Sequence, residues 1–322
     1  MKLILAPLRG LTEEPFRTAF GRHFSGIDEA VAPFIATTGA ERLRDTHVRD
    51  LLPEKQLMPV IPQLLSNNPH DFLALAHKLY AMGYQVINWN LGCPYPMVAK
   101  KKRGSGLLPH PAMIADFLAA VMPRLKPKLS VKLRLGYYDA DEIRAVIPVL
   151  NAFELAGVIL HPRLGVQMYG GEADADAFAE VAAQLRHPTV YNGDINCVAA
   201  FERLRRQLPN ITTFMLGRYL LVNPFLAEEL RGGIITVADR QRRFRAFYAD
   251  LFALYQAKIA HPKHLMDRMK AYWLYFAAGL DPISRKAVKK IQRAQTLENF
   301  CGHTEALLYD LPPPVTAPWM DI

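Results

Sequence analysis

The sequence sets a thiol, two cations, an imidazole and two glycine-bearing turns at the ends of apolar runs. Cys93 closes Asn88-Trp89-Asn90-Leu91-Gly92-Cys93 and is followed by the basic tetrad Lys100, Lys101, Lys102 and Arg103, then by Gly104-Ser105-Gly106. Lys132 and Arg134 end a second run, His161-Pro162-Arg163 a third, and Asn192-Gly193-Asp194 and Gly217-Arg218 two more. Singly, each has a plain structural explanation: a small core cysteine, a snorkelling lysine, a satisfied core histidine, an ordinary turn. Together they ask for a ligand. Lys132 and Arg134, two residues apart on a strand, share a face, and buried charge is costly unless an anionic or strongly accepting group meets it.

A strand-then-helix rhythm must position these groups. β-rich runs at Lys2–Ala6, Ile27–Pro33, Met58–Leu64, Gln85–Asn90, Leu129–Arg134, Gly157–His161, Pro188–Asn192 and Ile211–Gly217 are mostly separated by segments of helical period such as Asp71–Met82, Ala112–Val121 and Asp141–Glu154. Eight parallel strands alternating with helices predict a (β/α)8 TIM barrel, usually roughly 250 residues; a doubly wound sheet is the alternative. Function in a barrel gathers at the C-terminal strand ends, where Ala6-Pro7-Leu8, Gln63, Asn90, Cys93, Lys132, Arg134, His161, Asn192-Gly193-Asp194 and Gly217-Arg218 fall. After Asn223-Pro224 and Gly232-Gly233 the pattern changes to helical stretches at Val237–Lys258, His264–Ala278 and Pro282–Ala294. The division predicted is a barrel over 1–235 and a small all-α domain with a C-terminal tail over 236–322, lying apart from the barrel mouth.

Composition bounds the class. The 322 residues are 51% hydrophobic and 21% charged, which fits a globular chain and excludes disorder. The apolar run Leu3–Ala6 ends at Pro7, too short for a signal-peptide core, so a cytoplasmic protein without a membrane span is expected. Three isolated cysteines, Cys93, Cys197 and Cys301, support neither a disulfide framework nor a zinc site, and no metal is predicted. Charge is lopsided. Residues 236–300 hold 13 Lys+Arg against 5 Asp+Glu, nearly the whole net charge of +9, which points to a polyanionic partner.

At this point the chain resembles the tRNA-dihydrouridine synthases, flavin-dependent enzymes that reduce particular uridines in tRNA. "APLRGLTEEPFR" (Ala6–Arg17) resembles that family's APMxGxTDxxFR, and "NWNLGCPYPMVAKKKRGSGLL" (Asn88–Leu108) its NxGCPxxxVxxxxxGxxLL. "SVKLRLG" (Ser130–Gly136) resembles VKxRLG, "HPRLGVQMYGGEAD" (His161–Asp174) HxRxxxQxYxGxAD, "YNGDI" (Tyr191–Ile195) NGDI, and "MLGRY" (Met215–Tyr219) MIGRG. Glu13, Leu8, Pro162 and Tyr219 depart from the usual residues, yet none removes a reacting group. "DRMKAYWLYF" (Asp267–Phe276) resembles the C-type bacterial branch, which modifies position sixteen of the D-loop.

The resemblance implies FMN across the barrel mouth, reduced by NADPH. Asn192, Gly193, Asp194, Gly217 and Arg218 are expected at its phosphate, and Ala6, Pro7, Leu8, Gln63, Lys132 and His161 around its ring system, with Lys132 stabilising the anionic reduced flavin. Cys93 is the expected general acid toward C5 of the uracil, since a thiol with a pKa near 8.5 is mostly protonated at neutral pH. Asn90 and Arg134 are expected to fix the base, with the glycine-rich segment after Arg103 closing over it as a mobile loop. Lys100, Lys101, Lys102, Arg103, Arg268 and Lys270 join the expected tRNA contacts, as do Arg285, Lys286, Lys289, Lys290 and Arg293. At 100° per residue these last five fall within an arc of about 140° opposite Ala287, Val288 and Ile291. Tyr272, Trp273 and Tyr275 read as core, and a monomer is expected. A barrel flavoenzyme for a free pyrimidine, a silent RNA-binding paralogue and a Schiff-base aldolase using Lys132 are the alternatives.

Overall fold

The structure, a computed structural model, describes residues 1–37, 45–280 and 282–309, so the tail assigned to 310–322 lies outside it. Ten strand segments pair in parallel throughout: β1 (Lys2–Leu5), β2 (Glu29–Val31), β3 (Ile35–Ala36), β4 (Val60–Ile61), β5 (Gln63–Leu65), β6 (Val86–Leu91), β7 (Lys128–Gly136), β8 (Gly157–Leu164), β9 (Thr189–Tyr191) and β10 (Thr213–Leu216). They follow the eight predicted strands, except that the third is broken into β4 and β5 and the second is continued by β3, which lies beyond its expected end at Pro33. Pro62, with no N–H to donate, separates β4 from β5, and Ala32-Pro33-Phe34 separates β2 from β3. Because β2 pairs with β4 and β3 with β5, the sheet closes into the predicted barrel.

The barrel helices are α1 (Glu14–His23), α2 (Pro69–Ala81), α3 (Pro96–Ala99), α4 (Pro111–Val121), α5 (Glu142–Asn151), α6 (Ala175–Gln184) and α7 (Val198–Gln207). Two short helices, α8 (Arg218–Val222) and α9 (Leu226–Leu230), lead to α10 (Val237–Lys258), α11 (Pro262–Phe276), α12 (Pro282–Arg293) and α13 (Leu297–Tyr309). The last was not expected from periodicity; its local signal is Thr296, whose Oγ1 accepts from Asn299 N–H as an N-cap.

The main core lies between strands and helices, while Ile4, Ala6, Val31, Ile159, Val190 and Met215 fill the barrel interior as a second cluster. That apolar plug closes the barrel beneath its mouth. α10 packs on α1 through Phe247, whose ring meets Phe16 at 5.8 Å and Phe24 at 5.0 Å.

Candidate active site

Strand alternation sends Asn88 and Asn90 of β6, and Ser130, Lys132 and Arg134 of β7, to the barrel interior. The lower members form a buried amide ladder. Gln63 Nε2 donates to Asn88 Oδ1 (2.7 Å), Asn88 Nδ2 to Ser130 Oγ (2.9 Å), and Asn90 Nδ2 to Gln63 Oε1 (2.7 Å). Asn90 Oδ1 then accepts from the backbone N–H groups of Gly92 (3.0 Å) and Cys93 (2.9 Å). Gln63 therefore stands behind the site and not in its wall, and Asn90 holds the cysteine.

Above this ladder opens a cavity of about 1060 Å³, including the space open to solvent. Ala6, Pro7 and Leu8 after β1, Asn90 and Cys93 after β6, Lys132 and Arg134 on β7, His161 on β8, Asn192, Gly193 and Asp194 after β9, and Gly217 and Arg218 after β10 all line it. The strand-end groups predicted, Gln63 aside, are thus brought to one cavity. The sequence reading gives no site role to Arg9, Tyr95, Tyr169 or Tyr275, which also line it, nor to Arg163, which it names only within the His161-Pro162-Arg163 strand end. Arg163 sits two residues past His161 on the same strand face.

Arg163 organises one side. Its Nε donates to Gly170 O (3.2 Å), Nη1 to Asp194 Oδ1 (3.0 Å) and His161 Nε2 (3.1 Å), and Nη2 to Asp194 Oδ2 (2.6 Å) and Gly171 O (2.6 Å), which uses all five guanidinium hydrogens. A guanidinium only donates, so His161 Nε2 accepts and the ring is the neutral Nδ1–H tautomer. Burial, then Arg134, Lys132, Arg163 and Arg218 around it, hold its pKa well below the usual histidine value, in accord with that tautomer. Asp194 also faces Arg218 at 3.7 Å. The Tyr169 ring lies between two guanidiniums, Arg218 at 4.7 Å and Arg134 at 5.4 Å from its centroid.

Cys93 is 7% exposed. Burial pushes its thiol pKa up, against the Tyr95 backbone N–H and the fields of Arg9, Arg134 and Lys132, so the sulfur keeps its proton at neutral pH. The segment expected to be a mobile loop is instead a buried turn packed beneath it. Ser105 N–H and Oγ both donate to Cys93 O (3.1 and 3.0 Å), and a Cβ on Gly104 would stand 2.8 Å from that of Cys93. These glycines serve close approach. Arg103 is turned inward to Asn67 Oδ1 (2.9 Å) and Thr37 O (3.2 Å), leaving Lys100, Lys101 and Lys102 exposed.

Lys132 is half-buried, faces the cavity, and its Nζ has no hydrogen-bond partner among the described residues. Burial, reinforced by Arg134, pushes its pKa down to about 7. In ligand-free protein the unfolded chain then binds a proton that folded Lys132 does not, so stability falls as pH drops from about 10 toward 7. Lys132→Met removes that cost. Thermal unfolding should place the variant above wild type near pH 7, with the gap closing near pH 10; a constant gap would mean that Lys132 titrates normally.

The helical region does not lie apart from the mouth. Tyr275 of α11 lines the cavity, and Arg268 is bonded to the barrel through Gly10 O and Glu13 (3.2 Å). Tyr272 and Trp273 are core, as expected. Lys270 Nζ donates to Ala294 O (2.5 Å) and Arg285 Nε to Leu280 O (3.0 Å), while Lys286, Lys289, Lys290 and Arg293 are exposed opposite buried Val288 and Ile291. No single helix among the described residues is long and apolar enough to cross a membrane.

Comparison with known proteins agrees with this geometry. The profile of the dihydrouridine synthase (Dus) family matches residues 4–303. The chain is 32% identical over 238 residues to tRNA-dihydrouridine synthase B of Yersinia pestis, covering 71% of each chain. It is 26% identical to the tRNA-dihydrouridine(16) synthase of Neisseria meningitidis over 94% of this chain and 95% of that one. Its fold is similar to that of an old yellow enzyme homologue from Zymomonas mobilis, with a TM-score of 0.54 at 12% identity over 74% of this chain and 92% of that one.

Proposed function

The chain belongs to the dihydrouridine synthase family, and from that premise we propose that it reduces a uridine of tRNA to 5,6-dihydrouridine with FMN as cofactor and NADPH as reductant. One observation carries the reading: a half-buried Lys132 with no hydrogen-bond partner among the described residues shares a cation-walled cavity at the barrel mouth with a protonated Cys93. A structural barrel gains nothing from such a lysine, whereas an electron-rich ring beside it would supply the missing acceptor.

The residues fit the cofactor. Asn192, Gly193, Gly217 and Arg218 hold the phosphate end, with Asp194 acting through Arg218 and Arg163 and offsetting one of their two positive charges. Ala6, Pro7, Leu8, Lys132 and neutral His161 surround the ring, and Gln63 acts from behind through Asn90. When bound, FMN supplies the hydride, drawn from NADPH, that ends on C6 of the uracil. The charge left on the uracil is met by Arg134, whose Nε and Nη1 are held by Gly92 O (3.1 Å) and Leu164 O (2.7 Å), leaving Nη2 for the base. Cys93 gives its Sγ proton to C5, and water reprotonates the thiolate. The base must leave its stack to enter so enclosed a pocket.

Position sixteen of the D-loop is the proposed target, supported by the Asp267–Phe276 resemblance and by the similarity to the Neisseria protein over nearly the full chain. A tRNA substrate fits the cytoplasmic location expected from the sequence, and we propose a monomer as the sequence reading expected. The direct test is the visible spectrum of the purified protein together with dihydrouridine formation in unmodified tRNA under NADPH. A colourless protein that FMN cannot reconstitute would overturn the reading.

Docking is assigned to the exposed face of α12. Neutralising Lys286, Lys289 and Lys290 should weaken tRNA binding for all sequences alike, and each lost phosphate contact should flatten the slope of log K against log salt by about 0.7 to 0.9. Titrations at several salt concentrations decide this. Parallel lines would make α12 a merely solvated face and move the role to Lys100–Lys102.

A further inference from the structure

Between β1 and α1 the chain turns through residues 7–12, and the turn satisfies part of its own backbone. Leu8 N–H donates to Thr12 Oγ1 (2.8 Å), Leu11 and Thr12 N–H to Leu8 O (3.0 and 2.9 Å), and Thr12 Oγ1 to Ala6 O (2.9 Å). The carbonyls of Gly10 and Leu11 have no partner inside the turn. Both are taken by α11: Arg268 Nη1 donates to Gly10 O, and Tyr272 Oη to Leu11 O. Gly10 adopts φ +79°, and a Cβ there would lie 3.2 Å from Arg268 Nη1, so the turn is shaped to admit that guanidinium.

Both donors are held where they meet the turn. The Tyr272 ring is stacked between Phe16 and Phe276, each at 5.8 Å, and its hydroxyl also meets that of Tyr255 at 2.9 Å. Arg268 lies over the Tyr255 ring at 5.4 Å and pairs with Glu13 at 3.2 Å. The same turn carries Pro7, Leu8 and Arg9 into the cavity, where Tyr275 of α11 joins them.

We propose that Arg268 and Tyr272 are positioning residues: through the two carbonyls, α11 fixes the turn that forms one wall of the cofactor cavity. The helical region is then part of the cofactor site and not only a surface for RNA. This rests on the flavin reading above, and the experiment keeps the two apart.

FMN affinity, followed by flavin fluorescence quenching, and the visible spectrum of bound FMN are compared for wild type, Tyr272→Phe, Arg268→Met, Arg268→Lys and Trp273→Phe. Losing one hydrogen bond to the turn should weaken FMN about three- to tenfold and shift the flavin bands. Arg268→Lys, which keeps a donor, should recover part of the affinity. Trp273→Phe is the control: it deletes the bond from Nε1 to Tyr248 Oη (3.1 Å) on the same helix, away from the turn. It should lower Tm and leave FMN affinity and spectrum unchanged. If wild type binds FMN while Tyr272→Phe and Arg268→Met bind it equally well, or if Trp273→Phe weakens it as much as they do, the positioning role is wrong and the functional reading stands. A wild type that binds no FMN overturns both.

Discussion

Cys93→Ala should slow uridine reduction by about two to four orders of magnitude while FMN and tRNA binding stay near wild type, the loss typical of a missing positioned general acid. The separation follows from how the residue is held. Its backbone is fixed by Asn90 Oδ1 and by Ser105, so alanine keeps the turn and removes only the sulfur. Because burial raises the thiol pKa, the wild-type sulfur keeps its proton through neutral pH and into the mildly alkaline range. Single-turnover reduction of tRNA by pre-reduced enzyme measures the step without contribution from NADPH. A variant that works at the wild-type rate would make Cys93 a structural thiol.

Arg163→Met should cost about 3–5 kcal/mol of stability, as expected for removing one partner of a buried charge pair, and the purified protein should lose most of its flavin. The substitution strips Asp194 of both guanidinium hydrogen bonds, leaving it the Ala173 N–H (2.9 Å) and the more distant Arg218, removes the donor that fixes the His161 tautomer, and takes the Arg163 bonds from the Gly170 and Gly171 carbonyls. Arg163→Lys should recover little, since an ammonium cannot supply five donors in one plane. Urea unfolding and flavin content per chain are the measurements; wild-type values for both would show the network to be dispensable.

Strand identity was legible because short β-branched and apolar runs recur with helical spacers, and this placed all but one of the predicted pocket residues in the cavity wall. Strand length was not. β7 and β8 run on through Leu135-Gly136 and Pro162-Arg163-Leu164, where charge and proline look like loop, so Arg163 fell just past its expected strand. Its partners come from His161, the 170–171 loop and Asp194, and no local spacing announces such a convergence. The glycines after Arg103 misled in the opposite direction: composition cannot tell a glycine needed for motion from one needed for close packing, and here Cys93 and Ala99 occupy the space a side chain would take. Tyr275 read as core because helical periodicity shows only that a face is covered, not whether protein or cavity covers it.

The broken strands leave the barrel unevenly stitched. β6 and β7 pair over six residues, whereas the closing ladders, β2 with β4 and β3 with β5, pair over two each. Amide hydrogens at the seam should therefore exchange through local openings of low free energy, while those of β6, β7 and β8 wait for nearly global unfolding. Cys93, Lys132 and His161 all lie on or directly after those long strands, so these three cavity groups should belong to the slowest-exchanging part of the fold, with faster exchange expected at the closing ladders and at the single β9–β10 pair.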